Sequence, residues 1–276
     1  MVSNLSITFM GISLIISLFV PIVGMIYLKK KYNASLKVFF IGALAFFIAV
    51  NIIESPIHTY FLSYNKGTAS FLLNNPVAYM LYGGFMAGIM EETARLISFK
   101  FFIKGRDTTT ALTYGIGHGG IEAILIGALG SLNSIVYAIL INKGGFQSIM
   151  EGASVSKDVI NATYNQFVNT SSLLWLMTGI ERLIALSVQI ALSVLVLYAV
   201  KERKYIYYVI AIISHAIMDF PAALYQLGVL KNVYLVEIGI LVMAIILVTF
   251  VFKNFSTKIQ NYNEIIWKYN IILIRW

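Results

Sequence analysis

The stretch Glu91-Glu92-Thr93-Ala94-Arg95 lies in an apolar run, residues 76–103, that is long enough to cross a lipid bilayer. Two adjacent carboxylates and an arginine are costly to place in hydrocarbon. They occur there only where they face a packed interior or an aqueous cavity and find partners. The stretch therefore predicts a helix surrounded by other helices, with partners for its charges on those neighbours.

The composition of the whole chain is that of a membrane protein. Of its 276 residues, 59% are hydrophobic and 12% are charged, which is about half the charged share of a soluble domain. Apolar runs of roughly 20 residues recur along the chain and indicate transmembrane helices. We therefore predict an all-α fold, a polytopic transmembrane helix bundle. The chain has no cysteine, which excludes disulfides, thiolate catalysis and thiolate metal ligands.

About seven spans are predicted, or eight if the polar connection over residues 143–170 contains a re-entrant segment. Their approximate ranges are residues 5–28, 38–62, 76–103, 109–142, 172–200, 205–227 and 233–252. The fourth range is long and rich in glycine, which indicates a broken helix or close packing on a neighbour. We interpret residues 1–252 as a single integral-membrane domain and residues 253–276 as a cytoplasmic or interfacial tail.

Positive charges follow alternate predicted spans. Most lysines and arginines come after the first, third, fifth and seventh spans, as in Lys29-Lys30-Lys31, and few lie in the other connections. Because basic loops stay in the cytoplasm, this pattern places the N-terminus outside and the C-terminus inside a cell membrane. The cations lie at helix ends rather than on one basic face, so we expect membrane lipid as a partner and no nucleic acid.

Two other predicted spans carry an imidazole and a carboxylate one helical turn apart, His118 with Glu122 and His215 with Asp219. Each histidine, like the glutamate pair, lies about ten residues from the cytoplasmic end of its span, which corresponds to roughly 15 Å of helix. Leaving such groups apart in hydrocarbon is costly. We therefore predict that three helices bring them into one layer near the bilayer midplane.

Two further polar pairs are predicted to be structural. Glu54 and His58 lie near the outer end of the second span, where we expect a hydrogen-bonded pair. Glu181 and Arg182 lie about 20 residues from the cytoplasmic end of the fifth span, too far to reach the predicted layer. We expect an ion pair at that position.

The residue types of the predicted layer suit the hydrolysis of an amide bond. A buried carboxylate can act as a general base on water, and a histidine can share that water or protonate the leaving amine. A second histidine, with Asp219 one turn away, can donate to a developing oxyanion, while Arg95 can pair with one glutamate. The same layer also fits a zinc site with His118, His215 and Glu92 as ligands, so both no cofactor and a divalent metal remain open.

Three short motifs on the third, fourth and sixth predicted spans carry a family resemblance. They are Glu91-Glu92-x-x-Arg95, Tyr114-x-x-x-His118 and His215-x-x-x-Asp219. In order, placement and topology they resemble the three motifs of the CPBP and type II CAAX prenyl endopeptidase superfamily of intramembrane proteases. In its length and in His118-Gly-Gly-x-Glu122, the chain is similar to the bacterial YhfC family within that superfamily.

The resemblance implies roles for the motif residues. It implies Glu91, Glu92 and His118 as the catalytic core that activates water. It implies His215 and Asp219 as groups that stabilise the substrate oxyanion or contact a metal ion. A hydrolytic function at the third, fourth and sixth spans is therefore expected.

The spacing of the first motif departs from the prenyl-protease form. Two residues separate the glutamate pair from Arg95, where that form usually has three. The shorter spacing puts Glu91 one turn from Arg95 and leaves either glutamate eligible as the base. Glu122 is additional to the motifs, and we interpret it, with Arg95, as a supporting residue.

These observations predict an intramembrane endopeptidase of the glutamic or metal-dependent type. We expect it to hydrolyse peptide bonds of membrane-associated or lipidated peptides in the cytoplasmic half of the bilayer. Intramembrane carboxylates and histidines also relay protons, so a proton-coupled membrane transporter is an alternative, although the chain shows no internal repeat. A non-catalytic membrane scaffold that keeps the motif residues is a further alternative.

Overall fold

The computed structural model describes residues 1–259, and this range is almost entirely helical, without a strand. In chain order its α-helices are α1 (Asn4–Tyr32), α2 (Leu36–Phe46), α3 (Ser55–Thr59), α4 (Lys66–Asn74), α5 (Pro76–Ile97), α6 (Thr108–Glu122), α7 (Leu129–Asn142), α8 (Phe146–Gly152), α9 (Lys157–Asn169), α10 (Ser172–Lys201), α11 (Ile206–Gln226) and α12 (Val233–Val251). The predicted all-α membrane fold is confirmed. Most of the predicted tail, residues 260–276, lies outside the described residues.

Six helical spans of the described chain are long and apolar enough to cross a membrane. They are Asn4–Tyr32, Leu36–Tyr64, Thr108–Asn142, Ser172–Lys201, Ile206–Gln226 and Val233–Ile259. α5 has 22 residues but is not one of the six. It carries Glu91, Glu92 and Arg95, which lower its hydropathy. The six spans and α5 together correspond to the seven predicted ranges.

The predicted polar connection over residues 143–170 contains two short helices. α8 has 7 residues and α9 has 13. Since a transmembrane helix needs about 20 residues, neither can cross a bilayer. The connection therefore contains no further crossing helix, and the re-entrant segment considered from the sequence stays a prediction.

Several long spans contain π-helical turns within otherwise α-helical segments. The π-helical segments of residues 1–259 are Phe47–Glu54, Tyr60–Tyr64, Ser98–Phe102, Ala123–Ala128 and Phe252–Ser256. Phe47–Glu54 joins α2 to α3, and Ala123–Ala128 joins α6 to α7. The glycine-rich fourth span is therefore a continuous helix rather than a broken one. Turns of this kind are often found at functional sites, and Glu54 lies in one of them.

The chain forms two compact units. The first comprises residues 1–23 and 122–183, and its core includes Met10, Phe146 and Phe167. The second comprises residues 24–121 and the chain from Ile184 onward, and its core includes Tyr114, Leu192 and Leu195. The single membrane domain predicted over residues 1–252 stays a prediction.

Glycines let α5 and α11 approach closely in the second unit. A Cβ on Gly84 would lie 2.7 Å from the carbonyl oxygen of Ala216, and a Cβ on Gly88 would lie 2.8 Å from that of Ile212. Gly84 and Gly88 are four residues apart and so share one face of α5, as in other close-packed membrane helices. This contact brings the charged end of α5 against His215.

Local signals set the start of α5 as well. Asn75 caps the helix, since its side chain accepts a hydrogen bond from the amide of Ala78 at 3.1 Å. Pro76 occupies the first turn, where its missing amide proton is not needed. The position of the glutamate pair along the helix follows from this start.

The glycines of α6 are close-packing positions. A Cβ on Gly115 would lie 2.7 Å from the Cα of Ile190, and a Cβ on Gly119 would lie 2.8 Å from the Cβ of Gln189. α10 can therefore lie directly against α6. This contact places Gln189 beside the His118 turn of α6.

Candidate active site

Four helices of the second unit bring polar side chains into one buried cluster. Its members are Glu91, Glu92 and Arg95 of α5, His118 of α6, Gln189 of α10, and His215 and Asp219 of α11. Glu92, Arg95 and His118 are completely buried. Glu91 and His215 are each 6% exposed. The structure thus brings together the glutamates and histidines that the sequence assigned to one layer.

Glu92 is held by an arginine and a histidine. Arg95 donates from Nη1 to both carboxylate oxygens of Glu92, at 2.9 and 2.8 Å. The Nδ1 atom of His215 lies 2.8 Å from Oε1 of the same carboxylate. Such charge-assisted contacts compensate the cost of burying these groups.

The structure decides which glutamate pairs with Arg95, a choice that the sequence left open. Glu91 lies four residues before Arg95, but the ion pair forms with Glu92, three residues before it. Positions three and four residues apart both lie near one helix face, so spacing cannot choose between them. The choice depends on which carboxylate the neighbouring helices engage.

Those neighbours engage Glu91. Its Oε2 atom lies 3.0 Å from Nε2 of His118 and accepts a hydrogen bond from Nε2 of Gln189 at 2.8 Å. Its other oxygen, Oε1, lies 3.8 Å from Nε2 of His215. One oxygen of Glu91 is therefore fixed by two donors, while the other faces the imidazole of α11.

Gln189 is a member of the cluster that the sequence reasoning missed. Its amide nitrogen donates to Glu91, and its amide oxygen accepts from Nη2 of Arg95. It therefore connects Glu91 to the ion pair of Arg95 with Glu92. The signal was a glutamine in the middle of the long apolar helix α10, where a polar side chain needs a partner.

Asp219 forms the accessible edge of the cluster. Its Oδ2 atom lies 3.6 Å from Nε2 of His215, one turn earlier on α11. The side chain of Asp219 is 41% exposed, in contrast to the buried glutamates. His215 lies 2.8 Å from Glu92 and 3.6 Å from Asp219, so it links the buried end of the cluster to its open end.

Aromatic rings support His118. The Tyr114 ring stacks on the imidazole with centroids 5.7 Å apart, and the Phe46 ring meets it edge-on at 5.2 Å. Within residues 1–259 the Nδ1 atom of His118 has no hydrogen-bond partner. The imidazole is thus fixed by packing on one side and by Glu91 on the other.

The remaining predicted polar residues of the fourth and fifth spans lie in the first unit. Arg182 donates to Glu122 at 3.0 Å and to Glu181 at 2.5 Å. The ion pair predicted between Glu181 and Arg182 is confirmed. Glu122, which the sequence suggested as a supporting residue, forms an ion pair with Arg182 of the same unit.

A second polar group lies near the start of α5. The Nε2 atom of His58 lies 3.0 Å from Oε1 of Glu54, which confirms that predicted pair. Its Nδ1 atom lies 2.9 Å from the hydroxyl of Tyr82, a partner that the sequence reasoning did not identify. Glu54 itself is buried. An imidazole is therefore held between a carboxylate and a phenol.

A cleft of about 430 Å³ joins this group to the end of the buried cluster. Its walls include His58, Tyr79, Tyr82, Gly83, Asp219 and Gln226. Asp219 belongs both to the cleft and to the cluster. The volume is within the range of about 300–1,000 Å³ that is usual for ligand-binding pockets.

The cluster contains side chains of the types that bind zinc. Imidazoles and carboxylates are suitable zinc ligands, but in the described part of the chain no three His, Asp or Glu side chains are grouped so as to hold a metal ion. Of the predicted ligand set, Glu92 faces the guanidinium of Arg95, and His118 turns to Glu91. That set does not assemble in this arrangement.

Comparison with known proteins finds a family model and a relative that each match most of the chain. A family model described as "YhfC intramembrane metalloprotease" matches residues 16–241. A protein of Bacillus subtilis (strain 168), described as "Uncharacterized membrane protein YhfC", is 41% identical over 254 residues, which cover 92% of this chain and 98% of the relative. No solved structure gives a significant match.

Proposed function

Because the chain belongs to the YhfC family, whose model is described as an intramembrane metalloprotease, we propose that it is an intramembrane endopeptidase. Its substrates in this proposal are membrane-associated or lipidated peptides. The observation that carries the proposal is the buried contact of Glu91 with His118, with His215 facing the other oxygen of the same carboxylate. A carboxylate and imidazoles in such contact can move the protons of an amide hydrolysis.

We assign the general base to Glu91. Its Oε2 atom is fixed by His118 and Gln189, so its Oε1 atom has a defined direction. The 3.8 Å between Oε1 and Nε2 of His215 is too long for a direct hydrogen bond, so a water that lies beside these two atoms could contact both. A water at this position would be held between a base and a donor.

Glu92 acts in this proposal as a positioning residue. It accepts from Nδ1 of His215, which directs Nε2 of that ring towards Glu91 and Asp219. Arg95 balances the charge of Glu92 inside the protein. Because Arg95 fixes the Glu92 carboxylate, the hydrogen bond from Glu92 keeps the imidazole of His215 in one orientation, as such hydrogen bonds do for other catalytic histidines.

The proposed reaction proceeds in two steps. In the first, Oε1 of Glu91 takes a proton from water while the water oxygen bonds to the scissile carbonyl carbon. His215, protonated on both ring nitrogens, donates from Nε2–H to the oxyanion while Nδ1–H stays on Glu92. In the second, the C–N bond breaks as Glu91 returns the proton to the leaving nitrogen. The products are a carboxylic acid and an amine, and the protein is unchanged.

A cellular comparison tests the proposal. Cells that express the wild-type chain and cells that express Glu91→Gln are compared by mass spectrometry of new peptide N-termini in their membrane fraction. We expect a set of termini that the wild type produces and Glu91→Gln does not. Glu181→Gln, which changes a glutamate of the first unit, is the matched control and should produce the wild-type set. Identical sets from wild type and Glu91→Gln would contradict the proposal.

The family description raises the question of a metal. Zinc, where bound, would polarise the substrate carbonyl or activate water. The pairing of Glu92 with Arg95 favours hydrolysis by the chain's own acids and bases, so we expect metal-free protein to cleave its substrate. Elemental analysis of purified protein, combined with an activity assay in chelator, tests this. Activity that is lost in chelator and restored by zinc would favour the ligand set His118, His215 and Glu92.

The proposal also includes an orientation. The chain is a multi-pass membrane protein, and its basic loops favour an N-terminus outside and a C-terminus in the cytoplasm. Membrane lipid and the peptide substrate are the proposed partners. Proteolysis of a C-terminal epitope tag in intact and permeabilised cells tests the orientation, and cleavage in intact cells would contradict it.

A further inference from the structure

The cleft adjoins the buried cluster at Asp219. On α11, Asp219 is one turn after His215 and one turn before Ala222 and Ala223, which also line the cleft. On α5, Gly83 lies eight residues before Glu91, about 12 Å along the helix axis. Because Asp219 lines the cleft and lies 3.6 Å from Nε2 of His215, a chain that occupied the cleft would contact the open end of the cluster.

The shape of the cleft suits an extended peptide. Glycine and alanine form part of its walls, so the backbone of a bound segment can lie close to α5 and α11. A Cβ on Gly83 would meet no atom within 4 Å, which shows that the side chain of this position points into free space. Tyr79 donates to Oε1 of Gln226 at 3.0 Å across the cleft, and this pair offers hydrogen bonds to a peptide backbone.

The charge of the cleft argues for an uncharged segment. Among the described residues that line it there is no lysine or arginine, which are the usual ligands of phosphate groups. Asp219 contributes a partly exposed carboxylate that repels acidic groups, and its 3.6 Å contact with His215 partly satisfies this carboxylate, so it does not require a basic group from the segment. An uncharged peptide therefore fits better than a lipid phosphate headgroup.

The cleft lies at one end of the helices that form it. Tyr79 is in the first turn of α5, and Gln226 is the last residue of α11. The loops at this end of the second unit contain few cations, such as Lys66, whereas loops at the other end contain clusters such as Lys201-Glu202-Arg203-Lys204. By the positive-inside rule, the cleft end faces away from the cytoplasm.

We propose that this cleft is the peptide-binding subsite of the enzyme and that it admits an uncharged, extended substrate segment from the non-cytoplasmic side. This inference rests on the proposed function. It differs from the sequence prediction of a site that serves the cytoplasmic half of the bilayer, because the buried glutamates are reached from the other end of the bundle. The substrate class it names is a membrane peptide with an uncharged segment exposed on the outer side.

Cysteine labelling tests the entry side without requiring activity. The natural chain has no cysteine, so Gly83→Cys supplies a single thiol in the cleft. A membrane-impermeant maleimide should label Gly83→Cys and Lys66→Cys in intact cells, and should label Arg203→Cys only after permeabilisation. Labelling of Gly83→Cys only after permeabilisation, or in neither case, would overturn the inference, as would a reversed result for Lys66→Cys and Arg203→Cys.

Filling the cleft tests its role in binding. Gly83→Leu adds a side chain in free space, and Gly239→Leu on α12 adds one at a position where a Cβ also meets no atom within 4 Å. In the assay of new N-termini we expect Gly83→Leu to reduce cleavage about tenfold or more, with Gly239→Leu at the wild-type level. Wild-type cleavage by Gly83→Leu, with none by Glu91→Gln, would overturn the subsite and leave the proposed function standing.

A size series controls for folding. Gly83→Cys is treated with a small methyl thiosulfonate or with a bulky benzyl reagent after the protein has folded. We expect cleavage to fall with the larger reagent only. Equal activity after both would count against the subsite, whereas wild-type cleavage by Glu91→Gln would remove the proposed function but leave the labelling result intact.

Discussion

Each of the two compact units contains an arginine paired with glutamate inside apolar helices. In the first unit, Arg182 binds Glu122 and Glu181. In the second unit, Arg95 binds Glu92, while the adjacent Glu91 contacts a histidine and a glutamine. All three histidines of the chain lie in the second unit.

The difference shows what separates a structural ion pair from a candidate site. Around Arg182, both carboxylates form ion pairs with the same arginine. Around Arg95, one carboxylate pairs with the guanidinium and the other is directed at imidazoles. A carboxylate that an arginine does not engage, in contact with a histidine, can exchange a proton during a reaction. The second arrangement therefore suits catalysis, and the first suits stability.

Substituting the two glutamates of α5 one at a time should have the largest effect on cleavage. We expect Glu91→Gln to lower kcat by about 10²–10⁴, because it removes the base, with little change in the melting temperature. Glu92→Gln should lower both kcat and the melting temperature, because Arg95 loses its counter-charge. The measurement is cleavage of an identified substrate by purified protein, together with thermal unfolding in detergent. The reverse pattern would assign the base to Glu92.

Removing each arginine compares the two units directly. Arg95→Met leaves Glu92 buried without its cation, so we expect a loss of about 3–5 kcal/mol in the free energy of unfolding. Arg182→Met should cost less, because the side chains of Glu122 and Glu181 are 12% and 33% exposed, whereas that of Glu92 is completely buried. Denaturant or thermal unfolding of both variants in the same detergent measures the difference. An equal loss would show that exposure of the partner does not matter here.

Gln189 offers a smaller change at the same cluster. Gln189→Leu removes one donor from Glu91 and one acceptor from Arg95, which should cost about 1–3 kcal/mol of stability. We expect cleavage to fall as well, since the direction of Oε1 of Glu91 depends on this contact. Gln189→Glu keeps the acceptor but not the donor, and it should not restore cleavage. Wild-type kcat in both variants would show that Gln189 has only a packing role.

The smallest effect is expected at the edge of the first unit. Glu181→Gln replaces a partly exposed member of an ion pair, so stability should change by about 0–1 kcal/mol. Cleavage should remain at the wild-type level. A loss of activity in this variant, measured in the same assay, would mean that the first unit takes part in catalysis and that the contrast between the units is not one of function.

Much of the candidate site could be predicted from the sequence. The glutamate pair, His118 and His215 are rare polar groups in apolar spans, and their similar distances from the span ends that carry the basic loops predicted a common depth. The cost of burying them unpaired explains why they meet. Gln189 was missed because a single uncharged side chain in a long span is a weaker signal than a charge.

The pairing within the site could not be predicted in the same way. Glu91 and Glu92 are adjacent, and both lie within reach of Arg95 along the helix. Tyr82 was also missed as a partner of His58, because the two lie on different helices and tyrosines are common in membrane spans. Contacts between helices decide such pairs, and sequence spacing describes contacts within one helix.

The sequence by itself determined that this is a multi-pass helical membrane protein with a charged layer in its interior, because the length of apolar runs and the cost of buried charge depend on composition and order. Only the tertiary structure decided which carboxylate binds Arg95 and where the cleft opens. Close contacts at Gly84 and Gly88 set the rotation and depth of α5 against α11. A rotation of one residue there would exchange the neighbours of Glu91 and Glu92, and so the roles of the two glutamates within one stretch depend on helix packing.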